Sequence, residues 1–206
     1  MNGLIQRLNE GLTAMNLTAT ASQQARLLDF LFLLRKWNRV YNLTAISAPE
    51  QAIHLHLLDS LAALPYLSGT RMLDVGTGAG LPGIPLAILE PHTRFVLLDS
   101  STKKTRFVQQ AILELGLTNV EVVTSRIEHY RPEQGFDTVL TRAWASLGTI
   151  WREIHPLLTT SGQVLAFKGL APATEMNELV ACRHQVYSLE IPGLQAERHL
   201  IRIMND

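Results

Sequence analysis

A single cysteine, Cys182, among 206 residues leaves no intramolecular disulfide to form, which suits a reducing compartment. An excess of either charge is also missing. Eighteen Lys and Arg balance eighteen Asp and Glu, so no global field draws the chain onto nucleic acid. Any RNA contact must come from a local patch. The clearest is Lys103-Lys104-x-Arg106, in an acid-free stretch over residues 100–110; a solvated helix face is the equally simple reading. Long hydrophobic runs are absent: the most apolar stretch, residues 27–34, contains Asp29 and is too short to span a bilayer. Met1-Asn2-Gly3 lacks a basic leader with an apolar core behind it, so a cytoplasmic location is expected. The seven histidines show neither Cys-x-x-Cys nor His-Glu-x-x-His spacing, so no metal site is expected. No repeat or low-complexity segment occurs. What is present is a 47% hydrophobic, 17% charged composition, that of a globular chain with ample core.

The pattern divides the chain near residue 70, into an expected helical extension over 1–68 and a second domain over 69–206. In the first part, Thr20-x-x-Gln23 reads as a capping box opening a long helix through Leu27, Leu31, Leu34 and Trp37. Ser47-Ala48-Pro49-Glu50 opens another, expected to run to about Leu64. After Ser68-Gly69, short apolar runs alternate with helices. Strands are predicted at 71–75, 94–99, 120–124, 136–141, 162–168, 184–190 and 198–204, and helices near 82–90, 102–115, 147–155 and 173–181. Such alternation implies a doubly wound parallel sheet with its ligand at the strand C-termini. The last two strands have only Ile191-Pro192-Gly193 between them and are expected to pair antiparallel at one edge.

The densest chemical signal is Asp74-Val-Gly-Thr-Gly-Ala-Gly-Leu-Pro82, a strand running into a glycine turn and a helix. Such a turn exposes backbone N–H groups to a nucleotide-like ligand. Asp99 ends the next strand, 25 positions on, as a carboxylate for a ribose. Two registers fit. Gly78-x-Gly80-x-x-Gly83 matches the dinucleotide fingerprint, whereas Asp74-x-Gly76-x-Gly78-x-Gly80 matches the loop of S-adenosylmethionine-dependent methyltransferases. The second is favoured. Asp74 would repel a pyrophosphate but help hold a cationic or aminoacyl group, and Pro82 removes an N–H that the pyrophosphate would need.

Position along the sheet nominates further residues. After the third strand, Ile127 can cover an adenine and Glu128 can accept a hydrogen bond. Arg142 ends the fourth strand, where an unpaired cation is costly to bury. Lys168 ends the fifth, and Arg198 opens the last within Glu197-Arg198-His199. Within the predicted second helix of the extension, His56 and Asp59 lie one turn apart and are expected to pair. Trp37 and Tyr41 read as core rather than a base-stacking platform.

Eight segments together resemble one family: Lys36-Trp37-Asn38-x-x-Tyr41-Asn42-Leu43-Thr44, His56-x-Leu58-Asp59-Ser60, the Asp74–Pro85 block, Leu97-Leu98-Asp99-Ser100, Ser125-Arg126, Arg142-Ala143, Lys168-Gly169 and Glu197-Arg198-His199. They resemble the bacterial 16S ribosomal RNA guanine-N7 methyltransferase family, RsmG or GidB (glucose-inhibited division protein B). The resemblance implies a class I S-adenosylmethionine-dependent methyltransferase, with a Rossmann-like seven-stranded sheet, an antiparallel last strand and an N-terminal helical extension. It implies a guanine in the decoding region of 16S RNA as substrate, within the small subunit or an assembly intermediate, and S-adenosylhomocysteine as product. Cofactor contacts would fall on Gly76, Leu81, Asp99, Ile127, Glu128 and Arg142, beside Asp74 and Gly78 of the loop. Arg142 could instead orient the guanine. Arg126, Lys168 and Arg198, with Lys103 as an outlier, become the candidate RNA contacts. Ala79 stands where the family often has proline, a change the loop should tolerate. A monomer is expected.

The chemistry fits what is missing. No Asn/Asp-Pro-Pro-aromatic motif is present for amine methylation, and Cys182, placed with the predicted helix near 173–181, is far from the core motifs as a nucleophile. Guanine N7 has a free lone pair, so no catalytic base is nominated. In-line alignment can supply ~7–11 kcal/mol of barrier lowering. Two other readings stay open on the residues alone: a nicotinamide-dependent oxidoreductase, and a non-catalytic RNA-binding or assembly protein with a methyltransferase fold.

Overall fold

The computed structural model describes residues 2–46, 48–142, 145–170, 173–179 and 182–205. Seven strands, β1 (Arg71–Val75), β2 (Arg94–Asp99), β3 (Val120–Thr124), β4 (Phe136–Arg142), β5 (Leu158–Lys168), β6 (Arg183–Ser188) and β7 (His199–Met204), form one sheet in the order β3-β2-β1-β4-β5-β7-β6. The first five pair in parallel. β7 inserts antiparallel between β5 and β6. The chain reverses its direction of winding between β1 and β4, which opens a crevice at their C-terminal ends.

Buried strands carry apolar residues on both faces, and the alternation of side chains sorts them into two cores. Met72, Phe95, Leu97, Leu140 and Leu165 face α1 (Asn2–Ala14), α2 (Ala21–Tyr41), α5 (Gly83–Leu89) and α6 (Thr102–Leu115). Leu73, Val75, Val96, Val139 and Val164 face the other way, onto Leu147, Ile150 and Ile154 of α7 (Leu147–Ile154). The N-terminal helices therefore share a core with the glycine-loop side of the sheet. Phe107 of α6 anchors this contact, with ring centroids 6.2 Å from Phe30 and 5.7 Å from Trp37.

Capping accounts for the clearest boundaries. Thr20 and Gln23 form the expected reciprocal box. Asn42 at φ 48° ends α2, and Gly116 at φ 61° ends α6, both in the left-handed region. Ser47, expected to cap the next helix, lies outside the described residues; Ala48 occupies the cap position with Pro49 in the first turn. That helix is α3 (Pro49–Ala52), a π-helical segment (Ile53–Leu58) and α4 (Asp59–Leu61), and it stops short of Leu64. Among the described residues no helix is long and apolar enough to cross a membrane.

Two predicted boundaries are corrected. β5 starts at Leu158, not 162, because Thr159-Thr160-Ser161-Gly162 looks like a turn but runs on as strand past a register shift opposite Phe136 and Thr138. Gly162 permits this: a Cβ there would lie 2.8 Å from the Phe136 carbonyl oxygen. The helix predicted over 173–181 is one turn, α8 (Ala173–Met176), and residues 180 and 181 lie outside the description. Cys182 sits in a bend just before β6 rather than with a helix.

Candidate functional site

The turn after β1 is held from beneath. Asp74 is wholly buried, and its Oδ2 accepts from Thr77 Oγ1 at 2.6 Å and from the Gly83 backbone N–H at 2.9 Å. Its Oδ1 is buried with no partner among the described residues. Burial raises the Asp74 pKa to about 6, with the Thr77 and Gly83 hydrogen bonds pulling the other way. Gly83 must be glycine for the same closeness: a Cβ would meet Leu97 and stand 2.8 Å from Asp74 Oδ2. The Leu81–Pro82 peptide is cis.

Above this support lies a cleft of about 310 Å³, walled by Gly76, Asp99, Lys104, Arg126, Ile127, Glu128 and Arg142. Asp99 is fixed at its mouth, with Oδ2 accepting from Gly78 N–H at 2.9 Å and Oδ1 from Ser101 N–H at 2.8 Å. An ionised carboxylate has about four acceptor positions, so two remain for ligand hydroxyls. Gly78, at φ 60°, is open: a Cβ would find only the Gly76 carbonyl, at 3.9 Å. A carboxylate, an apolar Ile127 wall and a side-chain-free loop suit an adenosine-bearing ligand.

A second cleft, of about 370 Å³, adjoins the first and is walled by Ile46, His56, Asp59, Phe167, Lys168, Arg198 and again Arg142. Its centre is Asp59, only 3% exposed. Oδ2 accepts from Arg142 Nη1 at 3.1 Å and Oδ1 from Arg198 Nε at 3.0 Å. Lys168 donates to the Ala145 carbonyl and to Glu175, each at 2.8 Å. One ammonium donor is left over. His199 donates to the Gly169 carbonyl at 2.9 Å.

His56 does not pair with Asp59 as expected. The wider π-helical turn rotates an i+3 neighbour off the shared face. His56 Nε2 lies 3.0 Å from Thr44 Oγ1, and Nδ1 lies 3.2 Å from the Leu55 carbonyl. Burial first, and the Arg142 charge second, lower its pKa to about 4. The ring is therefore neutral near pH 7, with Nδ1 as donor and Nε2 accepting from Thr44. Thr44 is itself clamped by Asn38, which donates to its carbonyl at 2.9 Å and accepts from its N–H at 2.8 Å.

The structure thus gathers Gly76, Asp99, Ile127, Glu128 and Arg142 around one opening, with Asp74, Gly78 and Leu81 as framework. Asp74 and Leu81 are buried beneath the loop and are not among the residues that wall the cleft. Arg126 lies at the rim, 3.7 Å from Glu128 in an exposed pair. Lys103 is exposed on α6, and its neighbour Lys104 takes the cleft position, 3.9 Å from Asp99. Lys104 and the bridging role of Asp59 were not evident from sequence. The cue for Lys104 was helical phase: it precedes the buried Val108, Ala111 and Leu115 of α6 by four, seven and eleven residues. The pairing of Asp59 with cations 83 and 139 residues away had no local cue. Among the described residues no cluster of three metal-ligating side chains occurs.

Comparison with known proteins places these features in context. A family model described as GidB, rRNA small subunit methyltransferase G, matches residues 23–201. The ribosomal RNA small subunit methyltransferase G of Methylococcus capsulatus is 54% identical over 197 residues, 95% of this chain and 96% of that protein. That of Laribacter hongkongensis is 46% identical over 202 residues, 97% and 98% respectively. Among solved structures, the N-methyltransferase NodS of Bradyrhizobium japonicum with S-adenosyl-l-homocysteine is similar at TM-score 0.58 and 16% identity, covering 85% of this chain and 97% of that one. The tRNA methyltransferase TrmI of Aquifex aeolicus is similar at TM-score 0.57 and 15% identity, covering 72% and 69%. The fold is that of the class I methyltransferases.

Proposed function

Because the chain belongs to the rRNA small subunit methyltransferase G family, we propose that it moves the methyl group of S-adenosylmethionine to N7 of one guanine in 16S ribosomal RNA. The target lies in the decoding region, reached in the small subunit or an assembly intermediate. One observation carries this reading: the glycine-loop cleft and the basic cleft share Arg142 as a common wall. A donor held in the first and a base held in the second meet there.

S-adenosylmethionine supplies an electrophilic methyl on a sulfonium. Asp99 accepts from the ribose hydroxyls, Ile127 covers the adenine with Glu128 beside it, and the backbone from Gly76 to Gly78 borders the aminoacyl end. Arg142 holds the boundary between the clefts, fixed by Asp59. Arg198, fixed by the same carboxylate, contacts the RNA from the acceptor side, with Arg126 and Lys168 flanking.

Guanine N7 carries a free lone pair, so the chain needs to align rather than to deprotonate. Alignment can supply ~7–11 kcal/mol of the barrier lowering. The titratable side chains nearest the junction are already engaged, Asp59 by two guanidiniums and His56 by Thr44. The segment over residues 1–68 acts as a helical extension to a methyltransferase domain over 69–206, working as a monomer in the cytoplasm.

Transfer of labelled methyl to small subunits lacking the modification, with the nucleotide mapped, tests the proposal. Label on N7 of a single 16S guanine is expected. No incorporation, or label on another atom, overturns it.

A further inference from the structure

The basic residues of this electrically neutral chain are not evenly spread. α2 begins against the end of α5, where Gln23 donates to the carbonyls of Ile88 and Leu89. It ends beside the loop that carries Thr44 and Ile46 to the second cleft. α6 runs the opposite way, from Lys104 at the first cleft down to Leu115. The two helices pack through Trp37 and Phe107, so the C-terminal end of α2 stands beside the N-terminal end of α6.

This brings Lys36 and Arg39 of α2 to the same end of the molecule as Lys103 and Arg106 of α6, all four exposed. Neither stretch contributes an acid. Between Asp29 and Glu50 there is none, and from Ser100 to Leu113 there is none. Among the described residues none of the four has an ion-pair partner. Tyr41, expected in the core, stacks on Trp37 at 5.1 Å yet remains 40% exposed, and Val40 beside it is 72% exposed. Cations on two converging helices, with an exposed ring among them, match the chemistry of a nucleic-acid strand: phosphates for the cations and a base face for the ring.

We propose that the joined ends of α2 and α6 form an RNA-docking surface separate from the acceptor cleft, with Lys36, Arg39, Lys103 and Arg106 holding phosphates and Tyr41 stacking a base. The loop over residues 42–46 links it to the second cleft. It leads from Tyr41 to Ile46 and is pinned by Asn38 and by the Thr44–His56 contact. RNA laid across the platform is led over this loop toward Arg142 and Arg198. The surface accounts for affinity, and the acceptor cleft for choice of base. The identity of the partner as ribosomal RNA rests on the function proposed above.

The test compares wild type with a variant carrying Lys36→Gln, Arg39→Gln, Lys103→Gln and Arg106→Gln, and separately with Tyr41→Ala. Binding of the full chain to deproteinised 16S RNA is followed by fluorescence anisotropy across a salt series, and methyl transfer to unmodified small subunits is measured in parallel. Four lost phosphate contacts should flatten the plot of log affinity against log salt by about 3, at roughly 0.7 per contact for single strands. KM for the subunit should rise at least about tenfold. Tyr41→Ala should weaken RNA binding about tenfold without changing the salt slope. Unchanged melting temperature and S-adenosylmethionine affinity would show that the variants are folded. An unaltered salt slope and KM in the quadruple variant would overturn the proposal. So would weakened transfer to subunits with unaltered binding to bare RNA, since the patch would then face a ribosomal protein. If wild type transfers no methyl while the variant still loses RNA binding, the docking surface stands and the methylation reading fails.

Discussion

Arg142 donates to Asp59 at 3.1 Å across 83 residues of chain, joining the end of a central strand to the end of a π-helical turn. The other oxygen of Asp59 is taken by Arg198, so one carboxylate orients two guanidiniums. Neither arginine can swing freely, and their remaining N–H groups can serve the second cleft in a fixed direction.

Asp59→Ala should therefore damage transfer more than donor binding. Hydrogen bonds to charged groups contribute about 1.5–3 kcal/mol each, and a loss of roughly 2–4 kcal/mol in unfolding free energy is expected, read from urea melts. Asp59→Asn, which keeps an acceptor, should retain more stability while still lowering kcat/KM. Wild-type kcat/KM in Asp59→Asn would show that orienting the two arginines is unimportant.

Asp99→Ala should weaken S-adenosylmethionine binding about 10- to 100-fold in calorimetry, the loss of one to two charge-assisted hydrogen bonds. Because Gly78 and Ser101 also lose their acceptor, a modest fall in melting temperature should accompany it. Unchanged cofactor affinity would remove Asp99 from the site.

Stability against pH should show two opposing protons. Asp74, raised to about 6, contributes stability that is full below pH 3.8 and is lost as pH rises through 6. His56, lowered to about 4, contributes stability that is full above pH 6.5 and is lost as pH falls through 4. Between pH 4 and 6 their slopes oppose. Relative to wild type, Asp74→Asn should lose stability on acidification through this window, and His56→Gln should gain it, each by up to about 1.4 kcal/mol per pH unit. Urea unfolding at pH 4.5, 5.5 and 6.5 reads both slopes. Parallel curves for all three proteins would refute the assignment.

At saturating RNA and cofactor, the single-turnover rate of methyl transfer should be level from pH 6.5 to 8.5. A slope of one, abolished by replacing a single side chain, would reveal a general base and contradict the alignment mechanism.

The sheet and most of its helices were legible because apolar runs and capping residues are local signals: Thr20 and Gln23, Gly116, and the strand leading to Asp74 each declare themselves within a few residues. The glycine turn and Asp99 were legible for the same reason. The π-helical turn was not, since i+5 bonding leaves the same apolar pattern as an α-helix, and the expected His56–Asp59 pair failed with it. β5 was cut short because a Thr-Thr-Ser-Gly stretch resembles a turn until its partner strand is in place. That the Asp74 carboxylate props the loop through Thr77 and Gly83 is visible only in the packing. The second cleft draws on residues from Ile46 to Arg198 and could be assembled only by the fold.

The shared core beneath the glycine loop also bears on the order in which the chain is made. Phe30 leaves the ribosome early, yet Phe107, against which its ring packs, follows only 77 residues later. Until then α2 lacks one partner of its buried face. Synthesis from the N-terminus at about 5–20 residues per second leaves this face of α2 open for several seconds.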